Sequence, residues 1–506
     1  MTESSAGPLL LGFDVGTSAV KAGAFDLAGR RIAQASRPVP LQTPFDGACE
    51  VDPRDYWEAL RGACADLWGA GVDPERVRAL AVAAHAETLL PLDADLEPVR
   101  PGIVWVDTRS VREAEELGAR FGVAELVRRS GQPEMIPMWP ATKLLWLRRH
   151  EPERAARVRW WLQPLDYLTA RLTGRVSSDA SEYSSSLMLD IATRGWWQPM
   201  LDALGVSTGS LPELVPAGTP LGTATASARR ELGLAPGTTV VMGGFDQACT
   251  ALGAGNLRPG VVSESTGTSL AVVATVDRPP AGAGAGGVPC HVHVAPGKYF
   301  LCAHNPAAGS IVRWFQSALA PELSFAEIDA EAATAPPGCE GLVVLPAFSG
   351  TATPTFDAGA RGVLYGLTLR HDRSFVARAI LEGVAFSLAE LIDAERALGV
   401  EPGELRSVGG GARSALWSQI KADVTGLPVR TTASPNLEGA VGAAIIAGVG
   451  EGLFAGLAEG ADALVRFGGS FEPDPSRAEA YAEARQVHGE LYPAVAGIFA
   501  RHGARG

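Results

Sequence analysis

The stretch GFDVGTSAVKAG at residues 12–23 decides the fold of this chain. A strand-like run at 9–15 ends inside it and a second run at 20–27 begins inside it, so the Gly-Thr-Ser sequence between them is a tight turn. Backbone N–H groups and hydroxyls in such a turn can wrap an anion, and Asp14 at the strand end can hold Mg²⁺ through water. An ordinary hairpin turn is the alternative for this segment alone. The turn residues are Gly16, Thr17 and Ser18.

Strands and helices alternate after this turn, which indicates an α/β protein. A third strand at 30–39 completes an antiparallel meander, and apolar residues then recur at helical spacing in several segments. The predicted helices are 53–69, 111–129 and 142–150, and short strands are predicted at 77–84 and 102–106.

The opening pattern recurs in the second part of the chain. VVSESTGTSLAVVAT at 261–275 again reads strand, Gly/Thr/Ser turn, strand. We therefore predict two related α/β halves, an N-terminal domain at 8–255 and a C-terminal domain at 256–506, joined at the loop-like GAGNLRPG. Two such turns in equivalent places indicate a phosphate group that is held from both sides.

Composition and charge exclude several classes of protein. The 43 Lys and Arg against 56 Asp and Glu give a net charge of −13, the wrong sign for binding nucleic acid or an anionic membrane. Six scattered cysteines without a CxxC pair indicate free thiols. The N-terminus lacks the basic region of a signal peptide, and the apolar tract from residue 439 is too short to span a membrane. We expect a soluble cytoplasmic protein.

Two more segments carry candidate chemistry. VGGGARSALWSQIKADVTGLPV at 408–429 places small residues between a strand and an amphipathic helix, where a ribose or a flat ring can lie against the backbone. Tight packing of the strand on the helix is the alternative. In VVMGGFDQACTALG at 240–253, Asp246 heads a predicted helix, where a cap of the helix is the commoner role of an aspartate.

In their order along the chain, these motifs resemble those of the FGGY family of carbohydrate kinases, and most of all the xylulose kinases within it. The resemblance runs from about residue 10 to 491 and includes MWPATKLLWLRRH at 138–150, GGGARSALWSQIKADVTG at 409–426 and the segment 363–388. It implies a two-lobed fold of the actin, hexokinase and heat-shock-70 superfamily, with duplicated ribonuclease H-like domains. It also implies ATP and Mg²⁺ in the cleft between the lobes and a small sugar or polyol as the substrate.

The resemblance also implies roles for individual residues. Asp14 resembles the family's aspartate that places Mg²⁺, Asp246 resembles its catalytic base, and Gln247 resembles a ligand of the substrate hydroxyl. These residue types suit phosphoryl transfer, which needs charge neutralisation around the γ-phosphoryl group and a carboxylate that takes the proton of the attacking hydroxyl. The implied nucleotide-loop residues are Gly16, Thr17, Ser18, Lys21, Thr266, Gly267, Thr268, Gly410, Gly411 and Ala412.

The sugar site is expected beside MWPA at 138–141 and the Asp246-Gln247 pair. Alternation along strands is expected to put His85 and Glu87 on one face, and Trp105 and Asp107 likewise. We predict substrate contacts for these four residues. The alternatives are buried structural polar groups and, for Trp105, a place in the core.

The identity of the substrate stays open between two readings. Xylulose kinases usually carry Gln-Met-His-Gly where this chain has His85-Ala86-Glu87-Thr88, and glycerol kinases carry Gln-Arg-Glu-Thr there. The Asp246-Gln247 pair is also more like glycerol kinases, and SGTATP at 349–354 lacks the Glu-Arg pair of many relatives. A ketopentose such as D-xylulose is the leading prediction and glycerol or another polyol the alternative. A non-kinase ATPase of the same superfamily is the alternative from another class, and a homodimer is common among similar kinases.

Two further patterns are interpreted as structure without chemistry. CHVH at 290–293 puts His291 and His293 on one face of a strand, but a metal site needs two more ligands, so we predict a solvated strand. GAGAGG at 282–287 matches G-x-G-x-x-G but precedes a strand instead of opening a helix, so we predict a loop.

Overall fold

A computed structural model describes residues 7–281 and 287–502 of the chain. The loop predicted at 282–287 therefore lies outside the described residues except for its last glycine. Within the described ranges, no helix combines the length and the apolar character needed to cross a membrane.

The N-terminal half is organised around a six-stranded sheet in the order β13-β14-β5-β1-β2-β3. The first three strands form an antiparallel meander, and β5 and β14 then add parallel to β1. The strands of this half are β1 Leu9–Val15, β2 Ala19–Asp26, β3 Arg31–Pro38, β4 Glu50–Val51, β5 Val77–Ala84, β6 Leu90–Leu92, β7 Gly102–Ile103, β8 Trp160–Leu162, β9 Ser177–Ser178, β10 Leu189–Asp190, β11 Gly195–Trp196, β12 Glu213–Leu214, β13 Pro220–Thr223 and β14 Thr239–Phe245.

The C-terminal half repeats this plan in a seven-stranded sheet of the order β17-β18-β16-β15-β21-β22-β23. Here β15, β16 and β18 form the antiparallel meander, and β21 and β22 add parallel to β15. The strands are β15 Val261–Thr266, β16 Leu270–Val276, β17 Cys290–Val292, β18 Tyr299–Asn305, β19 Val343–Leu345, β20 Val363–Tyr365, β21 Glu404–Val408, β22 Val429–Thr432 and β23 Phe467–Phe471.

Helices cover these sheets and connect their parallel strands. They are α1 Pro53–Gly69, α2 Val111–Phe121, α3 Val123–Ser130, α4 Pro140–His150, α5 Pro152–Ala155, α6 Pro164–Thr173, α7 Ala180–Tyr183, α8 Gln198–Leu204, α9 Ala226–Leu232, α10 Asp246–Gly253, α11 Gly309–Leu319, α12 Phe325–Ala332, α13 Arg373–Arg396, α14 Ala415–Thr425, α15 Glu438–Gly450, α16 Leu457–Leu464 and α17 Ala478–His502. Short 3₁₀ turns lie at Pro74–Arg76, Thr208–Ser210, Cys339–Gly341, Gly410–Arg413 and Pro475–Arg477.

The α/β fold of two duplicated halves is confirmed, with local differences from the prediction. The helix predicted at 111–129 is two helices, because Gly122 adopts a positive φ of 74° and interrupts the hydrogen-bonded turn between them. The strand predicted at 102–106 is shorter, since the chain turns after Ile103. Both differences come from local backbone conformations that apolar spacing does not reveal.

Helices α10 and α15 join the two halves by direct backbone contact. A Cβ atom on Gly253 of α10 would lie 1.9 Å from the carbonyl oxygen of Glu438, and one on Gly442 of α15 would lie 1.9 Å from that of Cys249. The same helix α15 also packs on β1, where a Cβ on Gly12 would lie 1.7 Å from the carbonyl oxygen of Ala440. Only glycine permits these approaches, so the packing of the halves is fixed by three positions without side chains.

We predict that Gly442→Ala destabilises the protein by about 2 kcal/mol or more, because the added methyl group forces α10 and α15 apart. Thermal unfolding measures the loss. The matched control is Gly69→Ala at the end of α1, where a Cβ meets nothing within 4 Å and which should be neutral or slightly stabilising. Equal stability of the two variants would contradict the close crossing of these helices.

Candidate active site

The first predicted phosphate turn connects β1 to β2 and carries its aspartate at the strand end. Asp14 is buried and pairs across the two strands with Lys21, whose Nζ lies 3.3 Å from the carboxylate. The turn is closed by a hydrogen bond from the Gly16 N–H to the Ala19 carbonyl oxygen at 2.9 Å, and Ser18 at its tip is exposed. A Cβ on Gly439 would lie 2.8 Å from Cγ of Asp14, so the start of α15 packs directly on this carboxylate.

Asp246 is the first residue of α10, immediately after β14. It is half-buried, and its Oδ1 has no hydrogen-bond partner among the described residues. Phe245, one residue earlier, is the N-cap, so the capping role considered for Asp246 is not the one it has. Gln247 follows in the same turn and is also half-buried.

The charges of two other carboxylates act on Asp246. Burial, and then the charges of Asp14 and Glu87, raise the pKa of Asp246 well above its ordinary value. The described residues contain no group of three or more His, Cys, Asp or Glu side chains arranged to hold a metal. Mg²⁺ does not need such a cage, because it commonly binds through one or two carboxylates, waters and the phosphates of a nucleotide. The Asp14 carboxylate at the end of β1 is a donor of that kind and would hold Mg²⁺ through water.

His85 does not share a strand face with Glu87, because β5 ends at Ala84. Its imidazole is buried, with Nδ1 3.1 Å from the Val15 carbonyl oxygen and Nε2 3.0 Å from the Thr88 hydroxyl oxygen. Burial lowers the pKa of His85 to about 4, so the ring is neutral at pH 7. Both ring nitrogens are thus satisfied within the protein, and a substrate contact by His85 stays a prediction.

Glu87 lies in the turn after β5, with a backbone φ of +65° that a glutamate rarely adopts. Three contacts hold it there: its N–H donates to Oε1 of Gln163 at 2.6 Å, its carbonyl oxygen accepts from Lys143, and its carboxylate accepts from the hydroxyl of Ser185. Burial raises the pKa of this carboxyl to about 6. Glu87 is therefore held on a strained but well anchored turn.

Lys143 makes a contact with Glu87 that sequence reasoning missed. Its ammonium group is fully buried and donates to the carbonyl oxygens of Glu87 at 2.8 Å and Met138 at 2.6 Å. Burial lowers the pKa of Lys143 to about 7. The available signal was a lysine within the apolar helical run TKLLWLRRH, since a lysine on the buried side of a helix needs partners.

Trp105 and Asp107 lie beyond the end of β7 and have different surroundings. The indole N–H of Trp105 donates to the hydroxyl of Thr17 at 2.8 Å, which ties the predicted sugar segment to the first phosphate turn. Asp107 is buried and accepts hydrogen bonds from the Cys49 N–H at 2.7 Å and from the side chain of Arg109. Its oxygens are occupied by the protein, so a direct contact of Asp107 with substrate stays a prediction.

The second phosphate turn and the predicted adenosine motif touch one another. A Cβ on Gly411 would lie 2.7 Å from the Cβ of Thr266, and one on Gly409 would lie 3.1 Å from its carbonyl oxygen. Gly410 is exposed beside this contact, Ala412 is buried, and Thr268 is exposed at the tip of the turn. The second turn and the glycine segment thus pack directly on one another in the C-terminal half.

A buried ion pair supports this second turn. Lys421 of α14 and Glu264 of β15 are fully buried, with Nζ 2.6 Å from Oε1 of the carboxylate. Lys421 also donates to the hydroxyl of Thr266 at 2.9 Å, and Thr266 donates to Glu264 at 2.6 Å. Charge-assisted hydrogen bonds therefore fix the last residue of β15 just before the turn.

The N-terminus of α11 completes the surface and was not predicted. The N–H of Gly309 donates to the carbonyl oxygen of Gly267 at 2.9 Å, and the hydroxyl of Ser310 donates to the carbonyl oxygen of Thr268 at 2.9 Å. A Cβ on Gly309 would lie 2.4 Å from the Gly267 carbonyl oxygen, so a glycine is required. The sequence signal was weak, because AAGS resembles any loop before a helix.

The solvated strand predicted for CHVH is wrong. His291 and His293 are 5% and 2% exposed, and both rings contact Phe300 on the neighbouring strand β18. Burial lowers the pKa of each to about 3. The segment is buried because β17 packs beside β18 at the sheet edge, where the N-terminal half covers it through the contact of Ser184 with His291.

Two sheets of related topology each have a Gly/Thr/Ser turn after their first strand, and the N-terminal half adds Asp246 at a strand-to-helix junction. These features define the actin- and hexokinase-like class of two-lobed ATPases. Models of the N-terminal and C-terminal domains of the FGGY family of carbohydrate kinases match residues 9–253 and 262–451. The chain therefore belongs to the FGGY carbohydrate kinases, enzymes that transfer a phosphoryl group to a sugar hydroxyl.

Individual relatives cover nearly the whole chain. It is 30% identical to the xylulose kinase of Bacillus subtilis over 96% of both chains. It is 31% identical to the crystal structure of the xylulose kinase of Rhodospirillum rubrum, with a TM-score of 0.88 over 97% of this chain and 99% of that one. The glycerol kinase of Citrifermentans bemidjiense is 32% identical over 92% of this chain and 95% of its own length.

We predict that Lys421→Met destabilises the protein by about 3–5 kcal/mol, because it leaves the Glu264 carboxylate buried without a counter-charge. The double variant Glu264→Met/Lys421→Met should recover much of that loss. Guanidinium unfolding of the two single variants and the double variant measures the coupling. Strictly additive losses would contradict a direct ion pair.

Proposed function

We propose that this protein phosphorylates a hydroxyl of a ketopentose such as D-xylulose with ATP and Mg²⁺, and that Asp246 is the general base. The observation that carries the proposal is the Asp246 carboxylate at the start of α10, which has an unpartnered oxygen and whose pKa is raised by burial and by the charges of Asp14 and Glu87. A buried aspartate with a purely structural role has its oxygens bonded within the protein. A carboxylate with a free oxygen can instead accept the proton of a substrate hydroxyl.

Residues of the two halves have different proposed roles in binding ATP and the sugar. We propose that Asp14, Lys21 and the turn residues Gly16, Thr17 and Ser18 hold the transferred phosphoryl group from the N-terminal side. From the C-terminal side, Thr266, Gly267 and Thr268 hold the phosphates, and Gly410, Gly411 and Ala412 lie against the adenosine. Asp246 accepts the proton of the sugar hydroxyl as the oxygen attacks, and Gln247, Glu87 and Trp105 orient the sugar.

Mg²⁺ would be held through water by Asp14, and with the nucleotide bound it would neutralise charge on the phosphoryl oxygens. The charge of Asp14 raises the pKa of Asp246, and a divalent cation held at Asp14 would offset that charge, which supports this assignment. We also propose that the domains divide at about residue 255 and that the protein is cytoplasmic. Whether it forms a homodimer is a matter for sedimentation of the purified chain.

The choice of sugar rests on the relatives and on one anchored residue. The xylulose kinase relatives favour a ketopentose. Glu87, with its hydrogen bond from Ser185, favours a ligand whose hydroxyl can donate to a carboxylate, which both a ketopentose and glycerol can do. The glycerol kinase relative keeps glycerol as the second candidate.

We predict that Asp246→Asn lowers kcat at least 1000-fold and changes the affinity for ATP less than threefold, because the amide keeps the shape of the carboxyl but cannot take a proton. Release of ADP with D-xylulose as acceptor measures the first quantity, and calorimetry with a non-hydrolysable ATP analogue measures the second. Asp95→Asn, at an exposed loop aspartate, is the matched control and should keep full activity. Parallel loss of activity and nucleotide binding would contradict the role of Asp246 as base.

The same assay decides between the candidate functions. D-xylulose, other ketopentoses, glycerol and a blank without acceptor are compared at equal concentration. A kcat/KM highest for D-xylulose supports the proposal, and one highest for glycerol replaces it with the second candidate. ADP release equal to the blank with every acceptor would favour an ATPase without a sugar substrate.

We predict that the affinity for the sugar rises as pH increases through about 6. Glu87, whose pKa burial raises to about 6, is a carboxylate above that pH and accepts a hydroxyl hydrogen more strongly in that form. Binding of D-xylulose is measured by calorimetry from pH 5 to 8 in the Asp246→Asn background, which removes the titration of the base. Adding Glu87→Gln should abolish the change in sugar affinity near pH 6. A change in affinity near pH 7 that survives this substitution is assigned to Lys143, whose pKa burial lowers to about 7. A step near pH 6 that persists without Glu87 would contradict the assignment.

A further inference from the structure

A cavity of about 200 Å³ lies in the C-terminal half. Its walls come from the segment after β18, from the chain after β19, from α13 and from α17. None of the residues predicted for the sugar or for ATP lines it. The volume is below the roughly 300–1,000 Å³ of pockets for drug-sized ligands, so a nucleotide does not fit and a single small molecule does.

A buried histidine with a free nitrogen faces this cavity. His488 of α17 lines the wall and is 1% exposed, and its Nδ1 lies 2.9 Å from the carboxylate of Glu390. Its Nε2 has no hydrogen-bond partner among the described residues. An unpaired polar atom at that depth is costly unless a ligand or ordered water satisfies it.

The other polar groups of the wall define the chemistry of the ligand. Hydroxyls of Ser387 and Tyr492 and the amide of Asn305 line the cavity together with apolar side chains such as Leu345. The lining contains no lysine or arginine, and its one carboxylate already contacts His488. A neutral molecule that carries hydroxyl groups on a short carbon chain matches such a wall, whereas an anion such as phosphate finds no fixed cation.

We infer that this cavity is a second binding site, for a small neutral polyol of about the size of a five-carbon sugar alcohol. The site is also connected to the nucleotide surface. Asn305 and Ala307 line the cavity, and the next residues, Ala308 and Gly309, donate hydrogen bonds to the second phosphate turn. Occupation of the cavity therefore acts on the segment that supports Gly267 and Thr268.

The test fills the cavity without removing any functional residue. Gly489 of α17 lines it, and a Cβ there meets no heavy atom within 4 Å, so Gly489→Leu adds a side chain at the cavity wall where the backbone leaves room for it. Gly497→Leu is the matched control in the same helix, outside the cavity. Calorimetry with xylitol is performed on the wild type and both variants, because binding in the active-site cleft is the same in all three.

We expect wild type and Gly497→Leu to bind one more equivalent of xylitol than Gly489→Leu. His488→Leu should weaken that extra binding at least tenfold. Identical titrations of the three proteins would overturn the site. Putrescine or inorganic phosphate in place of xylitol should show no difference between the proteins, and a binding event of either that Gly489→Leu abolishes would overturn the proposed ligand class. Since calorimetry records the binding of xylitol and not its turnover, the result does not depend on which substrate the kinase phosphorylates.

Discussion

The contact between helices α10 and α15 is the constraint on which the rest of the structure depends. Their backbones meet at Gly253 and Gly442 without intervening side chains, and α15 then continues on to β1 at Gly12. Each helix begins at the active site, α10 with Asp246 and α15 beside Asp14. The packing that fixes the two halves therefore also sets the position of the two carboxylates, so a small separation of these helices would change the site before it unfolded the core.

The four lysines of the chain show how the protein uses a scarce cation. Lys21 pairs with Asp14, which raises the pKa of this lysine, Lys143 holds the carbonyl oxygen of Glu87, and Lys421 pairs with Glu264. Only Lys298, in an ion pair with Asp277, lies away from the site. Arginine supplies the remaining positive charge, largely in surface ion pairs of small individual worth. The compact ammonium groups of Lys21, Lys143 and Lys421 thus lie where a single point charge fits beside a carboxylate or between backbone oxygens.

Sequence patterns could predict the parts of the site that are local and not those that are made by distant contacts. The bounds of β1, α1 and β5 follow from apolar spacing, and both Gly/Thr/Ser turns follow from their residues. The pairing of His85 with Glu87 fails, because it assumed that β5 continues past Ala84. The anchors of Glu87 at Gln163 and Ser185 are 76 and 98 residues away, and no local pattern encodes them. The pattern around His291 likewise predicts a solvated strand, whereas the neighbouring strand β18 buries this side chain.

The concentration of carboxyl groups around Asp246 has a consequence for how its proton is handled. Glu182, one turn from Ser185, is fully buried with both oxygens unpartnered, and burial with the nearby acids raises its pKa well above the ordinary value. The pKa of Asp246 is raised in the same direction, first by burial and then by the charges of Asp14 and Glu87. Positive charge that binds beside Asp14 offsets one of these causes and so lowers the pKa of Asp246. The proton affinity of the proposed base is therefore linked to the binding of the phosphoryl donor.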